Sequence, residues 1–221
     1  MDIIRYKKVK ILALTLLCIG FTGLKGQTIK DMDGNIYHAV TIGTQVWMAE
    51  NLMTTKYRNG NSILAISDKT KWDNLTEGAY SDDNSTDIKT YGRLYNWNAV
   101  NDSRNIAPKG WHVATDSEWT ILTTYLGGEN VAGSKLKEKS TIHWEYANSD
   151  ATNQTFFTAL PGGCYWSKTG IFGVKDFGYW WTSTQKDSNK AYYRTMNSSN
   201  IYVFRYSSDK NAGFSVRCIK D

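Results

Sequence analysis

Histidine and acidic side chains are the groups of this sequence that could bind a metal ion, and their spacing gives a metal site little support. His38, His112 and His143 lie far apart and lack the His-Glu-x-x-His spacing of zinc enzymes. The acidic run at 82–84, followed by Asp87, could hold a hard cation weakly, but a solvated loop explains the same composition. The sequence therefore predicts no metal centre and no other cofactor.

Nucleophilic catalysis also lacks its usual sequence patterns. The chain has no Gly-x-Ser-x-Gly motif, so it gives no indication of a serine hydrolase with a nucleophile elbow. The thiols that follow position 26 are Cys164 and Cys218, which lie on different predicted strands. A catalytic thiol needs a nearby activating group and a lowered pKa. Since no such arrangement is visible, we expect a protein that is not an enzyme.

Aromatic side chains are abundant in this sequence. Nine Trp, fourteen Tyr and seven Phe amount to 14% of its residues. Sugars have apolar C–H faces that stack on such rings, and hydroxyls that polar side chains can bind. The candidate ligand-binding residues lie in polar, Gly- and Ser-rich segments: Tyr165, Trp166 and Lys168 first, then Trp144 and Trp72. The alternative is that these rings only pack their own loops.

The first 26 residues have the pattern of a secretory signal peptide. Basic residues dominate up to Lys10, an apolar run extends from Ile11 to Phe21, and small residues precede Gln27. This run is roughly half the ~20 residues that a membrane-spanning helix requires, so we expect no transmembrane segment in the mature chain. Cys18 raises the alternative of a lipoprotein, although the bulky Leu17 fits its cleavage site poorly. We therefore expect export to the periplasm, the cell surface or the medium.

Removal of this peptide would change the charge balance. The whole chain has 26 Lys plus Arg and 21 Asp plus Glu, a formal charge of +5. Five basic residues and one acidic residue precede Gln27, which leaves 21 against 20, or +1. Nucleic-acid binding needs a basic stripe, and the densest cluster, Lys135 to Lys139, is interrupted by Glu138. We expect no nucleic-acid partner.

Residues 27–221 are predicted to form a single domain, because they contain neither a linker nor a fixed-period repeat. Gly43-Thr44 predicts a hairpin between Ile36–Ile42 and Gln45–Met48. Thr115 and Glu118 fit a capping box at the start of a helix that ends at Gly127. Four tryptophans of periodic or motif segments are predicted to lie in the core: Trp47, Trp97, Trp111 and Trp119.

The remaining patterns favour an α+β fold. A helix is predicted near Tyr91–Ala99 and a further helical turn over Glu129–Lys139, while Gly162–Gly170 is predicted to be a loop. Beyond Thr155 the β-forming runs are Phe156–Leu160, Tyr179–Ser183, Ala191–Met196, Ile201–Tyr206 and Phe214–Ile219. Helices in the middle and a meander at the end predict an antiparallel sheet.

Six segments together resemble a known family. They are, in chain order, Asp31–Asn35, Thr41–Asn51, Gly92–Trp97, Ala107–Trp119, Tyr179–Ser183 and Gly213–Ile219. In this order they resemble the Fibrobacter succinogenes major paralogous domain, over nearly all of residues 31–221. The resemblance implies a C-type lectin-like fold, related to formylglycine-generating enzymes, with two main helices packed on a twisted antiparallel sheet. It also implies an exported or cell-surface protein of Bacteroidota or Fibrobacterota.

The resemblance directs attention to two kinds of site. The calcium site of sugar-binding lectins uses a Glu-Pro-Asn or Gln-Pro-Asp turn, whereas Pro108 and Pro161 lie in Ala-Pro-Lys and Leu-Pro-Gly. An oxidase of the related fold needs two reactive thiols near its groove. In an exported protein Cys164 and Cys218 could instead form a disulfide, which would contribute roughly 4 kcal/mol by closing its loop. Relatives often carry a further cysteine where this chain has Ser81, so the pairing stays open.

These observations predict an exported, non-enzymatic module for binding or adhesion. Its expected partner is a polysaccharide or a cell-surface protein, held through aromatic loops. Two alternatives remain: an oxidase-type enzyme on the formylglycine-generating-enzyme fold, and a structural component of the cell envelope. Fold resemblance alone cannot choose the ligand.

Overall fold

The computed structural model describes residues 28–81, 83, 86–145, 150–166 and 168–221. The predicted signal peptide lies outside these residues. Within them, no helix combines the length and the apolar character that crossing a membrane requires.

Most of the regular structure is strand. In chain order the strands are β1 (Ile29–Lys30), β2 (Ile36–Tyr37), β3 (Ala39–Ile42), β4 (Gln45–Met48), β5 (Leu64–Ile66), β6 (Ala79–Ser81), β7 (Trp111–Val113), β8 (Gly162–Trp166), β9 (Gly170–Val174), β10 (Phe177–Gln185), β11 (Lys190–Asn197), β12 (Phe204–Asp209) and β13 (Cys218–Lys220). The helices are α1 (Lys69–Asp73), α2 (Ile88–Tyr91), α3 (Trp97–Val100), α4 (Asp116–Tyr125) and α5 (Glu129–Leu136).

A four-stranded sheet brings the two ends of the domain together, with the strand order β3-β4-β13-β7. The predicted hairpin is confirmed: Ile42 pairs with Gln45 across the turn, and Gly43 has a φ of +61°, a conformation that glycine adopts readily. The C-terminal strand lies between β4 and β7, with Ile219 opposite Trp47. The last residues of the chain thus complete a sheet that begins near its start.

A five-stranded sheet carries the candidate site, with the strand order β12-β11-β10-β8-β9. Strands β10, β11 and β12 form an antiparallel meander, and β8 and β9 form a hairpin that joins β10 through a parallel pairing. One face of this sheet packs on α4, where Trp119 and Trp180 have ring centroids 6.2 Å apart. The other face carries Tyr179 and Tyr193, which are only half-buried.

Tryptophan rings form much of the core. The rings of Trp47 and Trp119 meet edge to face at 5.1 Å. Trp97 and Trp111 are 2% and 3% exposed, so the prediction that these four tryptophans lie in the core is confirmed. The capping box is also present, because Thr115 Oγ1 accepts from Glu118 N while Glu118 Oε2 accepts from Thr115 N.

The predicted architecture of two main helices on an antiparallel sheet is wrong. Among the described residues, α4 has ten residues, α5 has eight and the other helices have five or fewer. The helix expected near Tyr91–Ala99 is divided into α2 and α3, because Gly92 ends α2 with a φ of +77°. The pairings of β5 with β6 and of β8 with β10 are parallel. This mostly β, helix-poor structure with a curled sheet does not support a C-type lectin-like fold.

Two local predictions also fail. Gly162–Gly170 is largely the hairpin of β8 and β9, because its glycines and aromatic residues pair across strands and do not form a free loop. The strand expected at Phe156–Leu160 is absent from the described structure, where Phe156 and Thr158 have φ values of +57° and +51°. Such positive φ values break the extended conformation that a strand needs.

Candidate functional site

A groove of about 520 Å³ lies between the β8–β9 hairpin and the turn that follows β12. Its lining combines aromatic rings with polar and charged side chains. These include Trp166, Phe172, Lys168, Asp73, Asp209 and Asn211. Trp166 is 37% exposed and Phe172 is 56% exposed, so both rings remain accessible to a ligand. Concave sites with a few convergent polar groups are the usual form of a binding site.

The β8–β9 hairpin positions both rings. Trp166 is the last residue of β8 and pairs with Gly170, while Phe172 of β9 pairs with Cys164. Behind Trp166, the buried Phe214 meets its ring edge to face at 5.8 Å. This contact supports the Trp166 ring from below and leaves its outer side facing the groove.

Trp72 and Tyr165 form a buried support beneath the groove. Their ring centroids are 4.6 Å apart, and each side chain is 0% exposed. Trp72 Nε1 donates to the backbone carbonyl of Asn211, and Asn211 Nδ2 donates to the carbonyl of Asp73 at 2.9 Å. Tyr165 exchanges backbone hydrogen bonds with Gly213 at 2.8 and 2.9 Å. These two candidate residues therefore hold the polar wall of the groove in place without lining it.

A second cluster of polar groups is fully buried, and it is built from the sequence motifs. Arg217 is 1% exposed, and its Nη1 donates to the carbonyls of Met48, Ala49 and Phe157. In the same cluster, Asn51 Oδ1 accepts a hydrogen bond from Trp180 Nε1 at 2.8 Å. Burial lowers the pKa of Arg217 to about 9. The motif residues thus link distant segments by hydrogen bonds inside the core, and the groove is lined by other side chains.

The family model described as the Fibrobacter succinogenes major domain matches residues 40–220. The chain belongs to this family. The match confirms the resemblance seen in the sequence motifs. No curated protein matches the chain, and neither does any solved structure.

Trp144 lies away from the groove. The side chain is 1% exposed within the cluster around α4 and α5, and its Nε1 donates to the carbonyl of Ala159 at 3.3 Å. The ammonium of Lys137 lies 5.1 Å from its ring centroid. Of the five candidate residues, Trp166 and Lys168 line the groove, Tyr165 and Trp72 support it, and Trp144 belongs to the core.

Both cysteines of the domain are free, buried thiols. Cys164 Sγ donates to the carbonyl of Phe172 at 3.6 Å. Burial raises the pKa of Cys164 to about 12, and it raises the pKa of Cys218 to about 12 as well. The candidate disulfide is therefore not formed in this structure, and both thiols are protonated at neutral pH. Protonated, solvent-excluded thiols are poor nucleophiles.

The histidines of the domain are each paired with carboxylates. His38 contacts Glu50, and His143 contacts Glu138. His112 lies between Glu118 and Asp221, at 2.9 and 2.8 Å. Across the described part of the chain, no group of three or more His, Cys, Asp or Glu side chains could hold a metal ion. Positions 82 and 84 of the acidic run lie outside the described residues.

Six residues that line the groove were not among the candidates from sequence, and four of them carry its other aromatic, acidic and amide groups: Phe172, Asp73, Asp209 and Asn211. They come from α1, β9, the end of β12 and the turn after it, so their proximity depends on tertiary packing. The sequence does contain an indication for Phe172. If Gly162–Gly170 is assigned as strand, Phe172 pairs with Cys164, two positions before Trp166, so that the two rings project to the same face of the hairpin.

Proposed function

We propose that this chain is an exported, non-catalytic binding module that holds a glycan in the groove of Trp166. The observation that carries the proposal is the pairing of two exposed rings, Trp166 and Phe172, with side chains that can bind hydroxyls. Large aromatic side chains exposed together are uncommon on a surface that has no partner.

The chemistry of the groove suits a sugar. An aromatic ring can cover the apolar C–H face of a pyranose, while hydroxyls at its edge need hydrogen-bond donors and acceptors. Asp73 and Asp209 supply carboxylate acceptors, Lys168 supplies an ammonium donor, and Asn211 supplies both kinds of group. Because carboxylates and an ammonium are present together, the groove does not favour an anion.

The buried thiols support a binding role over an oxidase role. An oxidase that worked through Cys164 and Cys218 would need both sulfurs accessible and at least one with a lowered pKa. Both side chains are instead 0% exposed, and both pKa values are raised. The groove instead exposes aromatic and polar side chains, which are suited to binding a ligand.

Export is the part of the proposal that rests on residues 1–26. The test is to produce the full chain in a Gram-negative host and to determine the N-terminus and mass of the exported protein. Gln27 as the first residue supports cleavage of a signal peptide. A lipid-modified Cys18 supports the lipoprotein alternative, and an intact N-terminus in the cytoplasm contradicts export.

The glycan part is tested with the mature protein and a panel of immobilised polysaccharides. We expect at least one polysaccharide to retain the protein, and Trp166→Ala to weaken that retention about ten-fold, equivalent to about 1.4 kcal/mol. The matched control is Tyr125→Ala, since Tyr125 is 65% exposed but lies at Gly43, away from the groove. Capture of a purified surface protein in a Trp166-dependent manner, without polysaccharide retention, would replace the glycan with a protein ligand. Equal retention of both variants on every polysaccharide contradicts the proposal.

A further inference from the structure

The groove adjoins a connected series of aromatic rings on one face of the five-stranded sheet. Successive ring centroids are between 4.7 and 6.1 Å apart. The series runs through Trp166, Phe214, Tyr193, Tyr206, Phe204 and Tyr202. Trp166 belongs to both the groove and the series, so the series begins at the groove. We call this series the aromatic row.

Strand register places Tyr193, Tyr206 and Phe204 on the same side of the sheet. Tyr193 of β11 is directly opposite Tyr206 of β12, and Thr195 is opposite Phe204. Residues that are opposite each other in paired strands project to the same face. On the other face Trp180 is buried against α4, and the exposed part of that face on β12 carries the charged Arg205.

Much of the aromatic row is open to solvent. Tyr206 is 52% exposed and Tyr202 is 41% exposed, whereas Tyr193 and Phe204 are half-buried. Phe214 is the buried member of the row, and its ring centroid lies 4.7 Å from that of Tyr193. The arrangement is therefore a packed layer with exposed rings above it, which keeps the rings in fixed positions.

The side chains on the face that carries the aromatic row are uncharged, and this restricts the class of ligand. The alternating positions that share the face are 177, 179 and 181 on β10, 193, 195 and 197 on β11, and 204, 206 and 208 on β12. These positions hold Phe, Tyr, Trp, Thr, Asn and Ser, and none holds Asp, Glu, Lys or Arg. A phosphate-bearing or carboxylate-bearing chain would find no counter-charge there, so the face complements an uncharged ligand.

We propose that the groove and the aromatic row form one extended site for a linear, neutral polysaccharide. The inference rests on the proposed function and adds the class of ligand to it. Each exposed ring offers a stacking position for a successive sugar, while the polar residues of the groove fix one end of the chain. Affinity therefore depends on the length of the sugar chain.

The experiment compares β-1,4-linked gluco-, xylo- and manno-oligosaccharides by isothermal titration calorimetry. We expect one hexasaccharide to bind the mature protein about ten-fold more tightly than its disaccharide. Tyr206→Ala removes that gain and leaves disaccharide affinity unchanged, whereas Trp166→Ala weakens both. Tyr192→Ala is the matched control and changes neither, because Tyr192 is on the opposite face, under Arg205. Tyr202→Ala repeats the test if circular dichroism shows that Tyr206→Ala alters the fold.

Three results would overturn the inference, and each has a different meaning. Equal affinity for disaccharide and hexasaccharide, with both lost in Trp166→Ala, restricts the site to the groove and leaves the proposed function intact. No binding of any oligosaccharide or polysaccharide removes the proposed function as well. Conversion of a dimer to a monomer by Tyr206→Ala in sedimentation velocity, with sugar affinity unchanged, makes the face an interface between two copies of this chain.

Discussion

Asn51 Oδ1 accepts a hydrogen bond from Arg217 Nη2 at 2.8 Å, although 166 positions separate the two residues. Arg217 Nε donates to the same oxygen at 3.0 Å. The amide nitrogen of Asn51 donates to the carbonyl of Tyr91 at 2.8 Å, so a single side chain links three distant segments. No carboxylate takes part in these hydrogen bonds, and the guanidinium is satisfied by neutral oxygens.

Replacement of Arg217 is expected to destabilise the domain strongly. Arg217→Met leaves the carbonyls of Met48, Ala49 and Phe157 without this donor, and an unsatisfied buried polar group costs about 1–3 kcal/mol. We expect a loss of at least about 3 kcal/mol in the free energy of unfolding, measured by urea denaturation. Arg205→Met is the control, since Arg205 is 41% exposed and an exposed pair contributes about 0–1 kcal/mol. Equal losses in the two variants would contradict the central role of Arg217.

The tryptophans should separate into two classes by their effect on stability. Trp144→Ala is expected to lower the free energy of unfolding by about 3–5 kcal/mol, because it removes a fully buried ring. Trp166→Ala is expected to cost much less, since its ring is 37% exposed. Thermal and urea unfolding of both variants measure the difference. If Trp166→Ala were the more destabilising of the two, its ring would be a structural element and not a free binding surface.

The two thiols are expected to be unreactive in the folded protein. Burial raises the pKa of Cys164 and of Cys218 to about 12, and each side chain is 0% exposed. Iodoacetamide at neutral pH should therefore label neither residue until urea unfolds the chain, when both should react. Mass spectrometry of non-reduced peptides reads out the result. A linked Cys164–Cys218 peptide would show a disulfide, and rapid labelling of the native protein would show accessible thiols.

His112 should make stability depend on pH as the pH rises above the ordinary histidine pKa of about 6.5. Burial lowers the pKa of His112, but hydrogen bonds to Asp221 and Glu118 outweigh that effect, so the pKa is raised. A raised pKa means that the folded state binds the proton more tightly than the unfolded state. The stabilisation is complete below the unfolded value of about 6.5 and is lost as pH rises through the folded pKa.

The variant His112→Asn isolates this contribution. We expect the difference between wild type and variant in the free energy of unfolding to be about 0.5 kcal/mol larger at low than at high pH. This value allows for solvent screening, because the His112 side chain is one-third exposed. Urea denaturation at several pH values gives the difference, and an NMR titration gives the pKa of His112 directly. A pKa below about 6.5 would contradict the prediction.

The features that the sequence predicts well are local. The hairpin at Gly43 and the capping box at Thr115 depend on neighbouring residues, and both are present. Strands β10 and β11 contain the predicted segments Tyr179–Ser183 and Ala191–Met196. The loop prediction for Gly162–Gly170 is wrong because a glycine-rich composition is typical of loops as well as of this hairpin, and only pairing across β8 and β9 distinguishes the two.

From the amino-acid sequence come the family, the expectation of export and a short set of aromatic candidates that includes Trp166. The tertiary structure decides which candidates can meet a ligand. Trp72 and Trp166 both occur in polar segments, yet one is 0% and the other 37% exposed. The physical reason is that burial of a ring depends on segments far away in the chain, here Asn211 above Trp72 and Phe214 behind Trp166. Those contacts cannot be predicted from local composition.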